Sequence, residues 1–415
     1  MGFKKQDKLT IFFSNPKILS EQVIRPHYKQ TVQRIQDNDA KYILAIQDQM
    51  RLNFTKHKAK SDLGSIGKSG KTTQYGLIQH SVLCVTDRNE PLGLLDVSYF
   101  DYDDIDTLIS RDKRAIEDKA NKFWIDALKK MRQRLGETQK KIITVADREG
   151  DFYEFLHSLI VDNEEFVIRS QHNRILGEVY QSNGEKLRET LDSIDIQGSM
   201  QVEVQDVNSR EIKEITLFLK ATQVTLPIPK KMTKDAINEN RYTSITLNVV
   251  QAYNEEHEWI LLTKLPIDTL DQIKNIVIIY KSRWHIEDYH KVLKTGYQVD
   301  EIYLHTSKEA IKKLLILASI SACRLYWLIY IGRTEASIKA DQLFEEFEWK
   351  AIYVYFNEPI PNECPSVSEV MLKIARMGGY KDNKWTNPPG IKTIWIGYQQ
   401  FTVAAQMYRN MSRKT

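Results

Sequence analysis

Apolar and polar positions divide the chain into stretches of different period. Residues 12–37 read as helical pieces, with Asn15-Pro16 as a start signal. Short apolar runs follow. "YILAIQD" (42–48) ends on an acid, and "YGLIQHSVLCV" (75–85) and "PLGLLDVSYF" (91–100) are strand-like with turn residues between them. Residues 112–135 carry the period of an amphipathic helix. "KIITVADREGD" (141–151) is a second short strand pattern ending on an acid; a helix over 151–161 and a strand "EFVIRSQ" (165–171) follow.

From about residue 172 to 266 the texture changes to alternating or continuous apolar runs with polar turns, as in "MQVEVQDV", "EITLFLKATQVTL", "TSITLNVVQAY" and "WILLTKL". This predicts an antiparallel β block inserted into the chain. Helical patterns then run over 280–294, 307–333, 337–354, 366–377 and 391–411. Three strands, helix, strand, helix, strand, β insertion and helix predict an α/β chain: a mixed sheet flanked by helices. The expected division is a short helical segment (1–40), a core (41–171), the insertion (172–266), the last core helix (267–306) and a helical region (307–415).

"LLILASISACRLYWLIYIG" (314–332) is long enough to cross a bilayer. Arg324 interrupts it at the middle, where a membrane would charge roughly 2.5 kcal/mol or more. No second such segment exists, so the expectation is a buried helix and no membrane partner. The 415 residues, 42% hydrophobic, suffice for a sizeable core, and a net charge of +4 is too mild to argue for or against nucleic acid. Three scattered cysteines, Cys84, Cys323 and Cys364, fit a reducing compartment and exclude a cysteine-built zinc site. The N-terminus lacks the marks of a secretion signal, so the expected location is cytoplasmic.

The densest chemistry lies in "YKSRWHIEDYHKVLK" (280–294). On one continuous helix Tyr280, Arg283, Glu287, Lys291 and Lys294 would share a wedge less than about 90° wide. Arg283 suits bidentate phosphate binding, Tyr280 offers a donor, and Lys291 and Lys294 supply point charges. Trp284, beside them, reads as a packing residue. Surface ion pairing explains the charges of Arg283, Glu287 and Lys291 but not the aromatic border.

Two strand-end acids, Asp48 and Asp147, accompany Glu287, and open sheets place their sites at strand ends. Clustered carboxylates repel one another, and a hard divalent cation such as magnesium or manganese relieves this. Two such ions suit phosphoryl transfer. Taken singly, each Asp is better read as a strand-end residue capping a turn.

Tyr280, Arg283, Glu287 and Lys294, spaced Tyr-x2-Arg-x3-Glu-x6-Lys, resemble the YREK signature of bacterial insertion-sequence DDE transposases. "IQD" (46–48) is similar to that family's first acidic motif, "ADREGD" (146–151) to its second, and "RWHIEDYHKVLKTG" (283–296) to its third. The resemblance implies a ribonuclease H-like core. It implies that Asp48, Asp147 and Glu287 hold two magnesium ions. It also implies cutting at transposon ends through a hairpin, joining to target DNA, and a homodimer on DNA. It further implies that Trp259 stacks on an extruded base and that Arg169 contacts DNA; for Trp259 a core position on a strand stands equal. The family's DNA-binding domain precedes the segment matching residues 10–40, and little sequence lies there. A second expectation is therefore a catalytically silent DNA-binding or inhibitory fragment, and a third is a magnesium nuclease without strand transfer. Trp395, Tyr398, Phe401 and Met407 are a candidate interaction face, and core packing explains them equally well.

"GSIGKSGKTTQYG" (64–76) imitates a phosphate-binding glycine loop, but Ser65 stands where the first glycine is needed. With Lys56, Lys58, Lys60, Lys68 and Lys71 nearby, two readings remain: a flexible basic loop along DNA, or a solvated loop.

Overall fold

The structure is a computed structural model that describes residues 12–56, 62–104, 119–205, 212–230, 241–296, 299, 307–335, 337–381 and 388–412. The first helix, α1 (Ser20–Asp37), starts after the Asn15-Pro16 turn and carries Pro26 inside it. Strand β1 (Ile43–Asn53) follows, then β2 (Ser65–Ser69), β3 (Thr72–Thr86) and β4 (Pro91–Phe100). Helix α2 (Lys122–Leu135), β5 (Ile142–Ala146), α3 (Tyr153–Val161) and β6 (Glu165–Arg169) complete the first half. The helix expected from residue 112 is described from Lys122; residues 112–118 lie outside the described residues.

The next segment holds α4 (Leu187–Ser193), β7 (Gly198–Gln205), β8 (Ile212–Leu226), β9 (Ile245–Tyr253) and β10 (Glu258–Thr263). Then come α5 (Leu270–Lys281), α6 (Trp284–Lys291), α7 (Lys308–Thr334), α8 (Glu346–Tyr355), α9 (Val367–Met377) and α10 (Ile391–Ser412).

All ten strands form one sheet in the order β2-β3-β1-β5-β6-β10-β9-β8-β7, with β4 paired to β3. β1 is antiparallel to β3 and parallel to β5, which is parallel to β6. This mixed sheet with helices over both faces is an α/β architecture consistent with the ribonuclease H-like fold. The inserted segment is antiparallel as expected, and β10 pairs antiparallel to β6, so β7–β10 extend the core sheet.

Strand alternation sends Leu44, Ile46, Ile143, Val145 and Val167 to one apolar cluster, shared with Ile276, Tyr280, Ile286 and Leu315. Ile43, Ala45, Phe166 and Ile168 go to a second cluster, with Trp124, Leu128 and Phe155. Each fully buried Leu or Ile contributes about 1.5–3 kcal/mol, so both faces hold the sheet to its helices. α7 carries the long apolar run, most of it buried, as expected; Arg324 lies on its exposed side. Tyr99 and Ser319 share a buried hydrogen bond of 2.8 Å that ties α7 to β4.

Several sequence expectations change. β1 does not stop at Asp48 but runs to Asn53, because β3 pairs with it over its whole length. The glycine-rich segment is neither a phosphate loop nor an irregular one. It is the β2–β3 hairpin, with Gly70 supplying the positive φ of 59° at the turn, so four strands precede α2. Lys58 and Lys60 lie outside the described residues. The 337–354 helix is a short 3-10 turn at Ala340–Gln342 and then α8.

Candidate active site

The parallel ladder between β1 and β5 runs from Ile43↔Ile142 to Gln47↔Ala146. β5 ends at Ala146, so the next residue of each strand, Asp48 and Asp147, stands where the sheet opens between them. Asp48 shares its parity with Leu44 and Ile46, and Asp147 with Ile143 and Val145, so both carboxylates face the side covered by α5 and α6. Asp147 Oδ1 accepts the Glu149 N–H at 2.8 Å, capping the tight turn Arg148–Gly150. Gly150 is required there: a Cβ would meet the Ala146 side chain at 2.8 Å. Asp48 Oδ1 accepts the Gln49 N–H at 2.8 Å. Burial first, then the negative Asp48 beside it, pushes the Asp147 carboxyl above its usual value; Glu287 adds to this, and Arg283 opposes it.

The third acid arrives on a broken helix. The expected continuous helix over 280–294 divides at Ser282–Arg283, where Ser282 closes α5 with N–H bonds to Ile278 and Ile279 and its hydroxyl bonded to the Ile278 carbonyl. A π turn, Val292–Gly296, follows α6. The break reassigns the shared wedge. Tyr280 is 3% exposed at the end of α5, its ring edge-on to Trp259 at 5.5 Å. Arg283 is buried at the start of α6, and its Nη2 donates to Glu287 Oε1 at 2.6 Å. The Arg283 Nε is buried without a hydrogen-bond partner. His290, one turn beyond Glu287, brings Nδ1 to 3.5 Å from Asp48 Oδ2 and so fastens α6 to β1.

Lys291 and Lys294 are exposed, and Lys294 Nζ lies 3.4 Å from the Arg51 carbonyl. Arg169 donates to the Glu258 carbonyl at 2.9 Å, next to Trp259, on the same sheet face as Asp147. Trp259 is half-buried against the core, which agrees with the packing expectation for it and leaves part of its ring open. Trp284 contradicts its expectation as a packing residue: at 58% exposed it projects to solvent from the first turn of α6, 5.5 Å from the Arg283 guanidinium, because the helix break turns it outward.

The fold thus brings Asp48, Asp147, Arg283 and Glu287 to one opening, with Tyr280, Trp259 and Arg169 on the same face. Among the described residues no three His, Cys, Asp or Glu side chains are close enough together to hold a metal ion, and Glu287 is engaged by Arg283. The two in-line aspartates are oxygen donors of the kind that a hard cation takes. Sequence reasoning missed His290. Its signal was the three-residue step from Glu287, one helical turn on the same face.

Residues 320–414 match the family model described as the transposase Tn5 dimerisation domain. These residues comprise the second half of α7 and all of α8, α9 and α10. The match supports a Tn5-type transposase family and a homodimeric assembly.

Proposed function

We propose that the protein is a DNA transposase that cuts phosphodiester bonds at transposon ends through a hairpin and joins the freed 3′ end to target DNA. The observation that carries this is the register of β1 and β5, which sets Asp48 and Asp147 side by side beneath the helix bearing Glu287 and Arg283. The C-terminal match supports the same reading.

Asp48, Asp147 and Glu287 would hold two magnesium or manganese ions. Bound there, the ions would lower the pKa of an attacking hydroxyl and stabilise the leaving oxygen. The chain's own residues do the rest. Arg283 has a buried, unpartnered Nε and an Nη2 that Glu287 can surrender, a fork suited to a phosphate. Lys291 and Lys294 continue the phosphate track in solvent. The open part of the Trp259 ring, fixed by Tyr280 and flanked by Arg169, offers a stacking surface for an extruded base. His290 orients Asp48.

The test is incubation of the purified protein with duplexes carrying the inverted repeats that flank its coding sequence, with magnesium or manganese. Hairpin and joined products are expected. Nicks alone would reassign the protein as a nuclease. Binding without cleavage would make it a silent DNA-binding fragment.

A further inference from the structure

On the sheet face opposite α5 and α6, immediately beyond the two aspartates, lies a cavity of about 620 Å³. It falls within the roughly 300–1,000 Å³ of ligand sites. Arg51 and Gln49 of β1 line it, and their odd parity, shared with Ile43 and Ala45, turns them away from Asp48. Lys119 and Arg148 approach from the start of α2 and the turn after Asp147, and the half-buried Tyr102 and Phe152 add aromatic edges, while Trp124 is buried in the core beside them.

The charge on this lining is cationic where it is available. Among the described residues neither Arg51 nor Arg148 has an ion-pair partner, and both are exposed. Lys119 lies 3.3 Å from Glu154. Of the lining acids, Asp151 is spent on Arg174 and on the amides of Gln171 and His172, and Glu149 lies within electrostatic reach of Arg51, which leaves Arg148 as the exposed cation with no such neighbour among these acids. Cations with aromatic edges suit a phosphate joined to a sugar and base.

Joining two DNA segments needs two DNA grips that meet at one pair of carboxylates. Arg283, Lys291 and Lys294 stand on one side of Asp48 and Asp147, and this cavity stands on the other. We propose that the Arg51–Lys119–Arg148 cavity is the subsite for a nucleotide of the second DNA, the target strand, read through its phosphate and without sequence preference. The inference rests on the transposase reading and assigns the second substrate to that same centre.

The probe is a short fluorescein-labelled duplex of arbitrary sequence, titrated without divalent metal and followed by anisotropy at several salt concentrations. Arg51→Ala, Lys119→Ala and Arg148→Ala are each expected to weaken binding about tenfold and to reduce the salt slope by about one. Lys41→Ala, an exposed change at the opposite end of β1, is the control for general charge loss and is expected to shift affinity less than about twofold. Circular dichroism and melting confirm that the variants fold. Affinities unchanged in all three cavity variants, or lowered equally by Lys41→Ala, overturn the subsite. The transposase reading fails separately: a wild-type protein that binds the duplex but never cuts end DNA with magnesium or manganese sinks that reading and leaves the cavity's DNA binding measured on its own.

Discussion

Arg283 and Glu287 are locked to each other across one turn of α6, Nη2 to Oε1 at 2.6 Å, with the guanidinium buried and the carboxylate partly open. In the proposed site this pair would compete with a metal ion for Glu287. Without Arg283 the Glu287 carboxylate, 39% exposed, is open to a cation. Arg283→Ala is expected to bind manganese about three- to tenfold more tightly, since a nearby positive charge is gone. The same variant should cut end DNA at least about tenfold more slowly, because its phosphate fork is lost. Manganese titration by electron paramagnetic resonance, beside a cleavage time course, reads both. Weaker manganese binding in the variant would sink the idea of a latch.

Asp147 is crowded by Asp48 and pushed toward its neutral form by burial and that like charge. Asp147→Asn relieves the repulsion, so the metal-free protein should melt at the same temperature or a degree or two higher, in line with removing a like-charge contact of about 1 kcal/mol. Magnesium or manganese stabilises a folded state that binds it, so wild-type melting should rise with metal and the variant's should not. Cleavage should vanish while DNA binding persists. Residual cutting in the variant would remove Asp147 from the catalytic set.

The interaction face expected at Trp395, Tyr398, Phe401 and Met407 is only partly right. Phe401 is buried, Trp395 and Tyr398 pack against the core, and Met407 is 60% exposed. The outward stripe of α10 is instead Ile396, Val403, Met407 and Met411, spaced seven, four and four residues apart. Within the matched dimerisation segment this stripe is the expected face for a second copy. Val403→Glu with Met407→Glu should leave folding intact and shift light-scattering mass toward the 48.5 kDa of one chain. A dimer unaffected by both charges would place the contact elsewhere.

Acid should destabilise the fold before its carboxylates titrate. Burial lowers His27, His80 and His285 from 6.5 to about 4. His27 Nε2 accepts the Leu94 N–H at 3.0 Å, which requires the neutral ring. The unfolded chain takes up these protons first, so the stability they confer is present above pH 6.5 and is lost as pH falls toward about 4. The loss is about 1.4 kcal/mol per pH unit for each histidine. Urea midpoints at neutral pH and near pH 5 measure it. Equal midpoints would contradict the buried neutral state, and His27→Gln, which keeps an acceptor, should flatten its share of the slope.

The period of two in YILAIQD and IITVAD, and the apolar stripes of the later helices, were enough to read a mixed sheet with helices on both faces. Local pattern could not give the true end of β1. Asp48 looks terminal because the apolar run ends there, yet β3, thirty residues on, holds the strand to Asn53. The glycine-rich hairpin had the same difficulty: Ile66 is buried only because strands distant in sequence cover it. Trp284, expected to pack, is exposed and Tyr280 is buried for another reason. A helical wheel assumes an unbroken axis, and the turn at Ser282 rotates everything after it.

The sequence by itself determined which acid, guanidinium and amine side chains are on offer, since these are fixed by residue type, and it determined the α/β class, since period follows from backbone geometry. Only the tertiary structure decided that Asp48 and Asp147 are neighbours, that Arg283 restrains Glu287, and that a second cationic hollow opens behind them. The β1–β5 register and the docking of α6 on β1 are set by contacts between residues about a hundred or more positions apart, and the packing energy that selects them belongs to the whole core, not to any local stretch.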